Sequence, residues 1–281
     1  MGTDALGRDV LTELLFGART LLQVSLPATL LLTVVATLLG TSAGYWGNNR
    51  WYLPRATGVA ALYGLVICLL YLPLTGQEEK VVLPWGLWLL LMPLLKLLVG
   101  KTRWGQVRKP APLDTWILTL AALLSSVPRL ILLVGLAAVL PLSPVSAVLV
   151  LGLLFWPGMM RLIRAEMRRI RALPYIEAAQ ALGLTEPQIL VRHAAPALKG
   201  LVLSSFLLYL ALVIALETTL SFLGIGLPAE HASWGHLLAA ARLAPEAWWV
   251  VLFPGGCLLL TLLSIRVLAG SQKNKAGSHL K

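Results

Sequence analysis

Apolar runs about long enough to cross a bilayer recur along the whole chain, and they leave it little else to fold into. A hydrocarbon core of about 30 Å needs about 20 helical residues. Seven segments meet that length approximately: 21–45, 56–74, 81–99, 115–140, 145–163, 200–223 and 248–268. Pro27, Pro93, Pro128, Pro157 and Pro254 fall within them, and spanning helices tolerate proline where neighbouring groups re-satisfy the freed backbone. Of the 281 residues 58% are hydrophobic and only 12% charged, against about a quarter charged in a soluble domain. The predicted class is all-α: a polytopic transmembrane bundle of about seven spans. The net charge of +11 does not argue for nucleic acid, because the basic residues cluster at the ends of apolar runs. Cys68 and Cys257 both lie inside such runs and read as packing residues, not as a disulfide framework or zinc site. The first twenty residues carry Asp4, Arg8, Asp9, Glu13 and Arg19 without a continuous apolar core, so no cleavable signal peptide is expected.

Lys and Arg set the orientation. If the polar stretch 177–196 is cytoplasmic and the spans alternate, 18 of the 23 basic residues fall inside, from Arg50 to Lys109, from Arg161 to Lys199 and from Arg266 to Lys281. Arg8, Arg19, Lys80 and Arg242 remain outside and Arg129 lies within a span. The opposite orientation reverses this bias, which the positive-inside rule disfavours. Seven spans and a cytoplasmic C-terminus place Met1 outside. Two readings stand: translocation of a short charged N-terminus, or an upstream span missing from this chain.

The polar stretch EAAQALGLTEPQILVRHAAP, residues 177–196, follows a run of arginines (Arg161, Arg164, Arg168, Arg169, Arg171). Pro174 suits the first turn of a short helix, where no backbone N–H is needed. Gly183 supplies a left-handed stop just after Leu182. Thr185 then caps a second short helix with Pro187 in its first turn and Gln188 at the capping-box position. Ala178, Ala179 and Ala181 keep one face small enough for close approach, and Glu177 offers a carboxylate at the helix edge. The pattern predicts a docking elbow of two helices hinged at a glycine.

Glu177-Ala178-Ala179, then Gly183, then Pro196 resemble the EAA signature of permease subunits in binding-protein-dependent ABC importers. Gly2 to Val10 (GTDALGRDV), Gly44 to Gly47 (GYWG), Glu217 to Gly226 (ETTLSFLGIG) and Ser233-Trp234-Gly235 resemble further motifs of the dipeptide, oligopeptide and nickel permeases, in the same order. The residue before the proline is Ala195, where that family has Leu. The resemblance implies the type I ABC importer permease fold in a bacterial inner membrane. It implies a periplasmic amphipathic segment over 1–20 and a permease domain over 21–268 with an inserted hairpin at 51–112. The coupling loop would cover 172–199 and a cytoplasmic tail 269–281. It further implies a homologous permease, two ATP-binding subunits and a periplasmic binding protein as partners, with peptides, a related small solute or nickel as cargo. ATP and Mg would be held by the partner subunits, and no cofactor by this chain. No GxxxxGK[ST] phosphate loop occurs, so ATP hydrolysis and any enzymatic role are expected elsewhere.

Glu217 and Arg129 are candidates for the translocation pathway, since ionisable groups inside a bilayer are costly. For Glu217 a carboxylate at the outer interface is an equal reading. For Arg129, snorkelling or a contact with the partner permease is the stronger one. His231 and His236 flank Ser233-Trp234-Gly235 without further ligands, and no metal site is expected. Asp9 is expected to cap an amphipathic helix with Val10, Leu14, Ala18 and Leu21 on one face. Trp46, Trp51, Trp85, Trp88, Trp116, Trp248 and Trp249 read as interfacial anchors. Two rival classes are weaker. An ion-gradient-driven secondary transporter predicts paired intramembrane charges and inverted repeats, and an intramembrane enzyme predicts paired carboxylates, HExxH or GxS in a span.

Overall fold

A computed structural model describes residues 2–4, 7–48, 52–54, 108–110, 112–139, 143–225, 227–228, 231–243 and 245–278. The expected spans 56–74 and 81–99, with most of the 51–112 hairpin, lie outside the described residues. The chain divides into two compact units, one of residues 1–45 and 117–281 and one of residues 46–116. In the smaller unit, strands β1 (Tyr52–Pro54) and β2 (Arg108–Pro110) pair antiparallel with Leu53 opposite Lys109. Asn48 bonds both the hydroxyl and the backbone N–H of Thr115, at 3.0 and 3.2 Å.

The larger unit is helical. Helix α1 (Val10–Thr20) runs through a π-helical turn, Leu21–Ser25, into α2 (Leu26–Trp46). The expected surface helix and first span are thus one continuous helix, Val10–Trp46, of 37 residues. Pro27 follows the π-turn at once. A proline ring clashes with the carbonyl four residues back, and widening that turn moves the carbonyl aside; the Leu26 N–H bonds the Leu21 carbonyl instead.

The segment expected as a span at 115–140 is bent at Pro128. Helices α3 (Leu113–Ser126) and α4 (Arg129–Val139) meet at Val127-Pro128 with a bend of 75°. Proline biases the residue before it out of the helical region, no π-turn relieves the clash here, and the new helix starts on the Pro128 carbonyl. Pro157, by contrast, lies within the unbroken 28-residue α5 (Pro144–Arg171), and Pro254 within α10 (Trp249–Ser278). Between α5 and α10 come α6 (Pro174–Ala181), α7 (Glu186–Ile189), a second π-turn (Leu190–Ala194), α8 (Ala195–Phe222) and α9 (Trp234–Ala240). Four helices among the described residues are long and apolar enough to cross a membrane, or five if the bent pair counts as one.

Small residues let these helices close. Gly40 and Gly44, one turn apart on α2, face the α5 backbone: a Cβ on either would stand 2.8 Å from the Met160 or Arg164 carbonyl oxygen. Gly152 on α5 makes room for the Leu31 side chain of α2, which a Cβ would meet at 2.6 Å. Where lipid is as apolar as leucine, such close approach replaces the hydrophobic drive for helix pairing. A core of Leu21, Ala211, Ile214, Trp234 and Ile265 joins the first π-turn to α8, α9 and α10, with Cys257 packed against it. Gly44→Leu should lower stability by about 1–3 kcal/mol through overpacking, read as a fall in the thermal midpoint in detergent. Gly135→Ala, whose Cβ meets nothing within 4 Å, should leave that midpoint unchanged.

Candidate functional site

The motif residues fall in three places. The first is the elbow at α6. Pro174 starts the helix, and Gly183, with φ +80°, ends it. The Gly183 and Leu184 N–H groups bond the Gln180 and Ala179 carbonyls at 3.0 and 3.2 Å, the two bonds of a Schellman cap. Gln188 Oε1 then accepts from the Thr185 N–H at 2.9 Å. Ile176, Ala179, Ile189 and Ala194 are buried and seat the elbow. Glu177, Ala178, Gly183 and Pro196 are exposed, as is Leu182 at 83%. The alanine pair therefore divides its work: Ala178 presents to the outside and Ala179 packs inward. Among the described residues Glu177 forms no ion pair.

The second helix of the elbow departs from expectation. It is not a separate short helix but the start of a 37-residue helix, Glu186–Phe222, continuous through the second π-turn. That turn again sits just before a proline, Pro196, and carries the Ala195 N–H to the Leu190 carbonyl. The preceding arginines also differ from one another. Arg169 pairs with Glu166 at 2.6 Å, Arg161 donates to Ser125 Oγ at 3.1 Å, and Arg171 donates to the Tyr45 carbonyl while lying over its ring.

The second place is the far end of α8. Glu217 is buried, and its Oε1 accepts from Ser221 Oγ and Ser233 Oγ, each at 3.0 Å. Ser233 caps α9 by accepting from the Gly235 N–H at 3.2 Å. Trp234 Nε1 donates to the Leu14 carbonyl at 2.9 Å, and its ring lies against Gly17, where a Cβ would stand 2.6 Å away. Thr20 Oγ1 donates to the Ala232 carbonyl at 2.7 Å. The Ser233-Trp234-Gly235 motif is thus wedged between α1 and α8, with a buried carboxylate as its anchor. His236 Nδ1 lies 3.2 Å from the His231 carbonyl oxygen, so the two histidines are tied through ring and backbone.

The third place is the start of the chain. Asp4 accepts from the Arg8 N–H and Nε at 2.8 and 2.9 Å, closing a turn in which Gly2 and Gly7 take positive φ. Asp9 caps α1, accepting from the Thr12 N–H and hydroxyl at 3.0 and 2.6 Å. The Thr12 hydroxyl bond, with the backbone bond second, holds the Asp9 carboxyl below its ordinary value. The cap is therefore complete above the ordinary carboxylate range and is lost as pH falls through the lowered value.

Arg129 opens α4, its guanidinium lying 5.1 Å from the Phe155 ring centroid. Sequence reasoning missed Tyr209 and Gly158 beside Arg129; the available signal was a tyrosine in the middle of the apolar run 200–223.

Residues 97–275 match the family of binding-protein-dependent transport system inner membrane components. The chain belongs to that family, and its fold is the type I ABC importer permease bundle. Among related proteins, a putative peptide transport system permease protein of Brucella suis is 25% identical over 281 residues, all of this chain and 73% of its own length. A putative peptide permease protein of the same organism is 28% identical over 270 residues, 95% of this chain and 68% of its own length. The oligopeptide transport system permease protein OppC of Bacillus subtilis is 27% identical over 190 residues, 66% of this chain and 62% of its own.

Replacing Glu217 by Leu should release α9: the buried serine hydroxyls lose their acceptor, at about 1–3 kcal/mol. Hydrogen exchange across 231–240 should then rise several-fold, while exchange in α6 stays as it was.

Proposed function

We propose that this chain is the permease subunit of an ATP-driven importer of peptides, and that the 172–199 loop carries ATPase motion into the spans. The observation that carries the reading is the elbow itself. Its exposed Glu177, Ala178 and Gly183 surface is seated on buried Ile176, Ala179 and Ile189, and the Gly183 cap leads within two residues into a 37-residue helix. A groove on an ATP-binding subunit that grips the small-residue face, with a cation opposite Glu177, would move α8 as one body. Peptides as cargo follow from the names of the related permeases; those names favour peptides over nickel.

In this reading the chain spans the inner membrane with the elbow and the 269–281 tail cytoplasmic, in agreement with the Lys and Arg distribution. The Asp4–Arg8 turn, α1 and the Ser233 wedge form the periplasmic side, where a substrate-binding protein docks and largely selects the cargo. A homologous permease and two ATP-binding subunits complete the assembly. ATP and Mg belong to the partner subunits, and this chain performs no covalent chemistry.

Glu177→Lys and Gly183→Val, made in the full complex, should each reduce co-purification of the ATP-binding subunit and peptide uptake at least severalfold. Membrane insertion of the permease should persist. Unchanged association and uptake in both variants would refute the coupling role.

A further inference from the structure

Four helices, α3 and α4 on either side of the Pro128 break with α5 and α8, gather an unusual set of groups. Arg129 follows the break, Ser125 precedes it, α5 contributes Phe155, Gly158 and Arg161, and α8 contributes Tyr209. Arg129 lies over the Phe155 ring at 5.1 Å, and Arg161 Nη2 donates to Ser125 Oγ at 3.1 Å. Gly158 has no side chain to separate them: the Tyr209 hydroxyl packs against its Cα, and Arg129 Nη2 would be 3.7 Å from a Cβ there. Both guanidinium groups are within electrostatic range of the Tyr209 hydroxyl. Among the described residues neither Arg129 nor Arg161 forms an ion pair with a carboxylate. Arg161 is exposed, and Arg129, Ser125 and Tyr209 are half-buried.

At 1.5 Å per residue, Gly158 lies about 21 Å along α5 from Pro144 and Tyr209 about 20 Å along α8 from Phe222, both well inside helices long and apolar enough to cross a membrane. Two guanidinium groups and the Tyr209 hydroxyl favour an anion, because cations inside a bilayer are costly without a partner. The described part of the chain supplies none. A carboxylate fits: it accepts two parallel bonds from an Arg fork and leaves room for Tyr209, while Ser125, which donates to the Ala121 carbonyl at 2.7 Å, holds Arg161 in place.

We propose that Arg129, Arg161, Ser125 and Tyr209 form a station on the translocation path that receives the carboxylate of passing cargo. The proposal rests on the peptide-importer reading, which supplies a cargo bearing a terminal carboxylate. The cation–π contact with Phe155 keeps Arg129 flat and its fork free, while the open side of Arg161 keeps the hold weak enough for release.

The test uses the assembled transporter with Cys68 and Cys257 replaced by Ser, and Ser125→Cys as a reporter. An anionic thiosulfonate should modify that cysteine about tenfold faster than a cationic one of equal size, as focused positive charge raises the local anion concentration. R161Q and R129Q should each reduce this preference, and R161K should keep it. A free-acid dipeptide should slow labelling, and its C-terminal amide should not. Absence of labelling, equal rates for the two reagents, or a preference that survives both neutralisations would overturn the station. A preference without protection by the free acid would overturn the cargo assignment and point to a lipid phosphate. Peptide uptake by the unsubstituted complex judges the importer reading separately; its failure beside a positive labelling pattern would count against that reading alone.

Discussion

Inside hydrocarbon every backbone N–H and C=O must find its partner within the protein, and in this chain that constraint acts through proline. Each proline in a long helix removes one donor and crowds one carbonyl. The chain answers in three ways. At Pro27 and Pro196 the preceding turn widens to a π-turn and the helix runs on. At Pro157 and Pro254 the helix continues without one. At Pro128 the helix stops, bends by 75° and restarts. Those choices position the elbow, α8 and Arg129.

Packing then follows from small residues. Gly40 and Gly44 bring α2 against the α5 backbone, Gly152 on α5 admits the Leu31 side chain, and Gly17 and Gly235 admit the Trp234 wedge between α1 and α8. Polar anchoring is sparse and concentrated where helices end: Asp9 on α1, Ser233 on α9, and Glu217 holding Ser233 from inside α8. A buried carboxylate bonded to two hydroxyls is a strong local tether, because losing either side leaves a polar group without water or partner.

Local chemistry was legible in the sequence wherever one or two residues decide it. Gly183 as a left-handed stop, Gln188 reaching back to Thr185, Asp9 as a cap and the helical class all follow from short-range rules. Continuity was not. Neither the merging of α1 with the first span nor that of α7 with α8 is visible in hydropathy, because polar residues at the ends of a long helix look like loop. Nor does hydropathy separate Pro128 from Pro157: the difference lies in what packs against each break. The inward turn of Ala179, the burial of Glu217 and the gathering of Ser125, Arg129 and Tyr209 all depend on tertiary contacts between distant segments.

The π-turn at Leu190–Ala194 has a consequence for how the elbow is aimed. An α-helix advances 100° per residue, and a π-turn absorbs one residue more than an α-turn over the same climb. The azimuth of the Glu177 face around the axis of α8 is therefore set by a residue count. Relaxing that turn to plain α-helix would swing the face by about 100° with hardly any change in height. Pro196, which makes the wider turn favourable, thus acts as a phase setting: the direction in which the elbow points is encoded a full turn and more away from the residues that point.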